Sequence, residues 1–168
     1  GTVEMASLGL VAGDYRIRIS SGRDHTTPYR LTIQPDGERD PNHEEEVNDD
    51  SQHAWTIDPT MPMEGSFPAD HYDTDFFKLT VDSEFSSKQW QLTTYPSLES
   101  NYELCLLDSK DVQLQCRESD APTLTDLSLV PGEYYISFRN KEKKAAEYTL
   151  QFEETGEAEL DRESEPND

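Results

Sequence analysis

The sequence predicts an all-β protein, an antiparallel β-sandwich of jelly-roll type with about eight strands. Apolar residues recur with period two in short segments, and turn signals separate those segments at roughly ten-residue spacing. No stretch sustains a helical apolar stripe for more than two turns. Taken in order, Phe76, Phe77, Leu79 and Val81 form the first apolar run, and Trp90, Leu92 and Tyr95 follow it. Tyr102, Leu104 and Leu106 alternate strictly, as do Val112, Leu114 and Cys116. Tyr134, Ile136 and Phe138, then Tyr148, Leu150 and Phe152, complete the series. Between them lie Tyr95-Pro96-Ser97, Asp108 to Asp111, Val130-Pro131-Gly132 and the polar stretch Asn140 to Lys144, all turn chemistry.

The chain has 168 residues, enough for one ordinary domain or one domain with part of a second. Asp and Glu number 36 against 14 Lys and Arg, for a net charge of −22. That balance excludes nucleic acid as a partner, because affinity for phosphate comes from Lys and Arg. A mean hydropathy of −0.87 would suit a disordered chain. However, 8 Tyr, 6 Phe and 2 Trp imply buried surface. The charge is also concentrated. Pro35 to Asp50 and Glu153 to Asp168 each hold eight acids against one base, Arg39 or Arg162. Two acidic segments therefore flank one folded body. No apolar run reaches the length of a membrane-spanning helix. Gly1 to Ala6 lack a signal-peptide pattern and read as the middle of a longer protein.

A shift of 119 residues aligns the two ends of the chain without a gap. Leu8 to Ile17 falls on Leu127 to Ile136, and Tyr29 to Ile33 falls on Tyr148 to Phe152. Gly37-Glu38 meets Gly156-Glu157, and Glu46-Val47-Asn48-Asp49 meets Glu165-Pro166-Asn167-Asp168. Over Leu8 to Asp49, 14 of 42 positions are identical at that single offset. The pattern is that of a window cut from a tandem array. Residues 1–34 are then the C-terminal strands of a preceding repeat, and 35–43 an acidic linker. Residues 44–153 form one complete sandwich, and 154–168 a second acidic linker with the start of the next repeat.

The acidic openings carry the most informative chemistry. Glu44, Glu46, Asn48 and Asp49 place four hard oxygen side chains within six residues, and Asp70, Asp73 and Asp75 precede the strand beginning at Phe76. Calcium takes six to eight such oxygens in a tolerant geometry, so linker and strand together would make a metal site. The spacing is not that of an EF-hand. Glu163, Glu165, Asn167 and Asp168 repeat the linker half as a partial second site. The alternative is a solvated acidic linker, or general surface acidity from a salty habitat. Recurrence of the ordered Glu-x-Asn-Asp pattern favours the metal.

Glu165-Pro166-Asn167-Asp168, Asp73-Thr74-Asp75-Phe76-Phe77-Lys78-Leu79, Val130 to Ile136 and Tyr148-Thr149-Leu150 occur in one order and spacing. Together they resemble the bacterial pre-peptidase C-terminal domain family, over all of 44–153 and most of 1–34. The resemblance implies a β-sandwich of a secreted or cell-surface bacterial protein, appended to exported enzymes or strung in arrays. It also implies calcium held by the linker and a nearby strand, as in related collagen-binding domains of collagenases. By position the ligands are Glu44, Glu46, Asn48 and Asp49 from the linker, and Asp73 with Asp70 or Asp75 from the strand. Val47 departs from the pattern, standing where the family has Pro.

Cys105 and Cys116 lie on either side of a turn, in segments that a hairpin would bring opposite one another. A disulfide suits an exported protein; two reduced, half-buried thiols are the alternative. His25, His43, His53 and His71 are scattered over polar stretches and read as surface residues. No Gly-x-Ser-x-Gly, His-Glu-x-x-His or phosphate-cradling loop occurs. Asp73 and Asp75 suit an ion better than paired-acid glycoside chemistry. The expected function is therefore a non-catalytic, calcium-stabilised spacer or adhesive module whose partners are neighbouring repeats of the same chain. The alternative is a targeting module of a secreted protease or other hydrolase. It would grip an extracellular protein or polysaccharide through Trp55, Trp90, Tyr95 and Tyr102, although core packing is the commoner fate of such residues.

Overall fold

Among the described residues the computed structural model has, in chain order, nine strands, β1 (Trp55–Thr56), β2 (Met63–Phe67), β3 (Asp73–Val81), β4 (Lys88–Pro96), β5 (Tyr102–Asp108), β6 (Gln113–Ser119), β7 (Thr123–Leu127), β8 (Gly132–Asn140) and β9 (Ala146–Glu157). The structure describes residues 14–20, 28–35, 37–38, 40–70 and 72–158. The strands form two sheets ordered β1-β3-β8-β5-β6 and β2-β9-β4-β7. Among these nine strands every pairing is antiparallel except that of the two-residue β1, which runs parallel to β3; one isolated parallel bridge joins His43 to Glu64. The protein is the β-sandwich its alternation predicts, with one strand more than the eight expected. Six of the nine are the apolar runs named from sequence; β1, β2 and β7, of two to five residues, are not among those runs.

Alternation decides what each sheet buries. On β3, Asp73, Asp75, Phe77, Leu79 and Val81 are buried and face inward, while Phe76 lies between them on the outer side. Tyr134, Ile136 and Phe138 of β8 and Tyr148, Leu150 and Phe152 of β9 are buried in the same way. The two inner faces meet in one core, with Leu79, Leu92, Leu104, Leu106, Leu124 and Ile136 almost wholly enclosed. Each such side chain contributes about 1.5–3 kcal/mol. Toward one end the core is aromatic, with Phe67, Phe138 and Tyr148 packed at centroid distances of 4.8–5.3 Å. Tyr102 stacks beside them.

Three local expectations need correction or completion. Val112 and Leu114 follow the period-two rule in sequence but are exposed. They belong to the turn and start of β6, an edge strand with no buried residue. At the same edge the β5–β6 hairpin is pinned by Asp108, whose Oδ1 accepts from the N–H groups of Lys110 and Val112. Residues 14–20 and 28–35 carry no sheet pairing, and their apolar side chains are exposed. Finally, β9 runs on to Glu157, because its last residues pair with the start of β4.

Candidate metal centre

The acidic segment ahead of β1 is tied to the sandwich by its backbone. The N–H of Glu44 donates to the carbonyl of Glu64 at 2.8 Å, and that of Glu64 donates to Asn42 at 2.7 Å, so the segment lies along β2. Farther on, the N–H of Phe76 donates to the carbonyl of Asn48 at 2.8 Å. The segment thereby bridges from β2 to the beginning of β3. The Glu46–Val47 peptide bond within it is cis.

This course brings together Glu44, Glu46, Asn48 and Asp49 with Asp73 and Asp75. Glu44, Asn48, Asp73 and Asp75 are buried. Glu44 accepts from the Ser66 N–H through Oε1 and from Asn48 Nδ2 through Oε2, both at 3.0 Å. Asp73 Oδ1 accepts from the Thr74 N–H at 3.0 Å. Asp75 Oδ2 accepts a hydrogen bond from the Tyr148 hydroxyl. Asn48 Oδ1 and Asp75 Oδ1 are enclosed and accept no hydrogen bond. Nearer the surface, carboxylate oxygens of Glu46, Asp49 and Asp73 all lie within 4.8 Å of one another. Calcium–oxygen distances are about 2.3–2.6 Å, so one ion fits between oxygens at that separation.

The electrostatics of these carboxylates by themselves are adverse. Burial raises the Glu44 carboxyl to about 7, with the neighbouring charges of Asp73 and Glu45 adding to the rise. Burial and then Asp73, Glu44 and Asp49 raise Glu46 to about 7 as well. Asp75 is pushed well above the usual carboxylate range by burial first and Glu44 second. Tyr148, fully enclosed, is pushed up by burial and by Asp75. These are carboxylates forced together at the edge of an aromatic core, where an unpaired negative charge is costly. Unpartnered buried oxygens and an all-oxygen donor set fit a hard divalent cation such as calcium.

Of the residues marked by sequence, Asp70 lies apart. It is exposed on the loop before β3 with φ 73°, and its N–H donates to the Lys143 carbonyl. Glu163, Glu165, Asn167 and Asp168 lie outside the described residues, as do His25 and His71. His43 faces Glu64 at 3.9 Å, and His53 bonds Asp50 at 2.7 Å, both near the surface. Cys105 and Cys116 are directly paired across β5 and β6 and form a disulfide, with Cα atoms 4.2 Å apart. The proposed aromatic platform is not assembled. Trp55 and Tyr102 are core residues, Trp90 stacks on Phe85 and donates to its carbonyl, and Tyr95 alone is well exposed.

Two contributors escaped the sequence reading. Tyr148 stands in the motif Tyr148-Thr149-Leu150, where it reads simply as an inward strand residue. Gly65 faces Tyr148 across β2 and β9. A Cβ at Gly65 would lie 2.6 Å from Glu44 Cγ and would overlap the Tyr148 ring. Close approach of the backbone to the site therefore requires glycine. A lone Gly between Glu64 and Ser66 was the available signal.

No family model and no curated protein matches the chain. Among solved structures, the fold is similar to the pre-peptidase C-terminal domain of collagenase from Bacillus anthracis, at 15% identity and a TM-score of 0.46. That match covers 58% of this chain and 92% of the other.

Proposed function

We propose that the protein is a non-catalytic β-sandwich module braced by calcium, serving as a spacer or adhesive unit of an extracellular protein. One observation carries this reading. Asn48 Oδ1 and Asp75 Oδ1 are buried without hydrogen-bond donors beside four further acids, Glu44, Glu46, Asp49 and Asp73, an arrangement a cation would complete. Glu44, Glu46, Asn48, Asp49, Asp73 and Asp75 are the candidate ligand set, and Asp70 drops out. When bound, calcium supplies positive charge that neutralises the cluster. The chain's own residues do the rest. Tyr148 holds the Asp75 carboxylate, Ser66 and Asn48 hold Glu44, and Gly65 leaves room for both. Because the acidic segment bridges β2 and β3, locking it fixes how the chain enters the sandwich. The Cys105–Cys116 bond supports an oxidising, extracellular setting.

The test is calorimetric titration of calcium into EDTA-stripped protein, with a melting curve at each end point. Saturable binding that raises the melting temperature, and that disappears in Glu46→Ala/Asp73→Ala, is the expected result. No heat and no thermal shift in excess calcium would return these acids to ordinary surface charge.

A further inference from the structure

Residues outside the sandwich repeat its inner face. In 14–20 the side chains of Tyr15, Ile17 and Ile19, and in 28–35 those of Tyr29, Leu31 and Ile33, are 44–76% exposed. At the constant offset of 119 they fall on Tyr134, Ile136, Phe138, Tyr148, Leu150 and Phe152, which are 0–8% exposed. The residues between them fall on outward positions, Arg16 on Tyr135, Arg18 on Ser137 and Arg30 on Thr149. Pro28 falls on Glu147, whose N–H donates to the Ser97 hydroxyl, so proline there costs one side-chain bond. A one-residue slip would turn every apolar side chain outward. Agreement of both segments at one offset therefore specifies which two strands of the repeat, β8 and β9, they correspond to.

We infer that 14–20 and 28–33 belong to the last two strands of a second sandwich of the same design, and that strands equivalent to β1–β7 cover their apolar face. Equivalents of β3 and β5 flank 14–20, as those strands flank β8, and equivalents of β2 and β4 flank 28–35, as those strands flank β9. Tyr29 takes the position of Tyr148, whose hydroxyl holds Asp75. The inference rests on the array-module reading and deepens it, because residues 34–43 then join two bodies of one kind.

The experiment exchanges strands within the full chain. Residues 10–33 are placed at positions 129–152, and the product is followed by near-UV circular dichroism, thermal melting and thiol titration of the Cys105–Cys116 bond. The exchange is expected to melt in one cooperative transition with the disulfide formed. The same slot filled with residues 11–34 is expected not to. A second exchange moves only 14–20 and 29–33 and keeps the native loop. Failure of both in-register exchanges to fold overturns the inference, and so does equal folding of the slipped one. A dimer of the unaltered chain that Ile17→Asp and Leu31→Asp dissociate also overturns it, because the face would then belong to a second copy. Melting is recorded in EDTA and in calcium. An in-register exchange that folds but ignores calcium supports the strand pair and counts against the ion-braced reading alone.

Discussion

Glu44→Gln tests the cost of the empty site. The Glu44 carboxyl is buried and stands at about 7, against 4.5 when free. Between those values the folded state binds more protons than the unfolded one, so stability of the metal-free protein falls as pH rises from about 4.5 through about 7. At pH near 8 the full difference applies, on the order of 3 kcal/mol for this one group. The amide removes that charge and keeps an acceptor for the Ser66 N–H. Its new donor can meet Asn48 Oδ1 once the Asn48 amide turns over. In EDTA at this pH the variant should melt higher than the parent, by up to roughly 10 °C for a domain of this size. At pH near 5 the gain should largely vanish. Calcium at a hundredfold excess over Kd gives the parent about 2.7 kcal/mol, so the gap should close as the ion is added while the variant gains much less. Differential scanning calorimetry at the two pH values, with EDTA or calcium, reads all four states. A variant that is less stable than the parent in EDTA at the higher pH, and that gains as much from calcium, would refute the reasoning.

Tyr148→Phe leaves Asp75 Oδ2 buried without its donor, and should cost about 1–3 kcal/mol in denaturant unfolding while weakening calcium binding by calorimetry. Gly65→Ala drives a methyl against Glu44 and the Tyr148 ring. A loss of about 1–3 kcal/mol is expected, with the calcium-dependent thermal shift reduced as well. Reducing the Cys105–Cys116 bond opens a loop of sequence separation 11 and should lower stability by about 3 kcal/mol on a chain-entropy estimate. The calcium response should survive, because the bond lies across β5 and β6 and no candidate ligand lies on either strand. Trp90→Ala should destabilise the fold by several kcal/mol, about 3–5, through lost packing on Phe85, with no change in retention on insoluble collagen or polysaccharide.

Much of the fold was legible because it depends on local period. Ile136 and Phe138, or Leu150 and Phe152, announce a buried face two residues at a time, and the sandwich follows once such segments are too many and too short for helices. The same rule contained a stronger statement about the site. Asp73 and Asp75 share parity with Phe77, Leu79 and Val81, so the pattern that buries the core also turns these acids inward. Asp70 breaks that parity and lies beyond the strand, which separates it from the other two. Val112 and Leu114 obey the period yet stay exposed, because position at a sheet edge is a property of strand order and not of a strand's own residues.

The sequence alone determined six of the strand segments, all but β1, β2 and β7, a hairpin that would set Cys105 opposite Cys116, the internal repeat and the acids that gather ahead of β1 and β3. All of these are written in neighbours or in a constant offset. Tertiary structure decided the rest. Only the packing of β9 against β2 brings Tyr148 and Gly65 to Glu44, and only the closing of two sheets places the Tyr148 hydroxyl on Asp75, 73 positions earlier in the chain. Burial of Trp55, Trp90 and Tyr102 likewise depends on which surfaces meet. Contacts between residues far apart in sequence leave no local periodicity to read, and the desolvation that makes these carboxylates costly exists only once the core has formed around them.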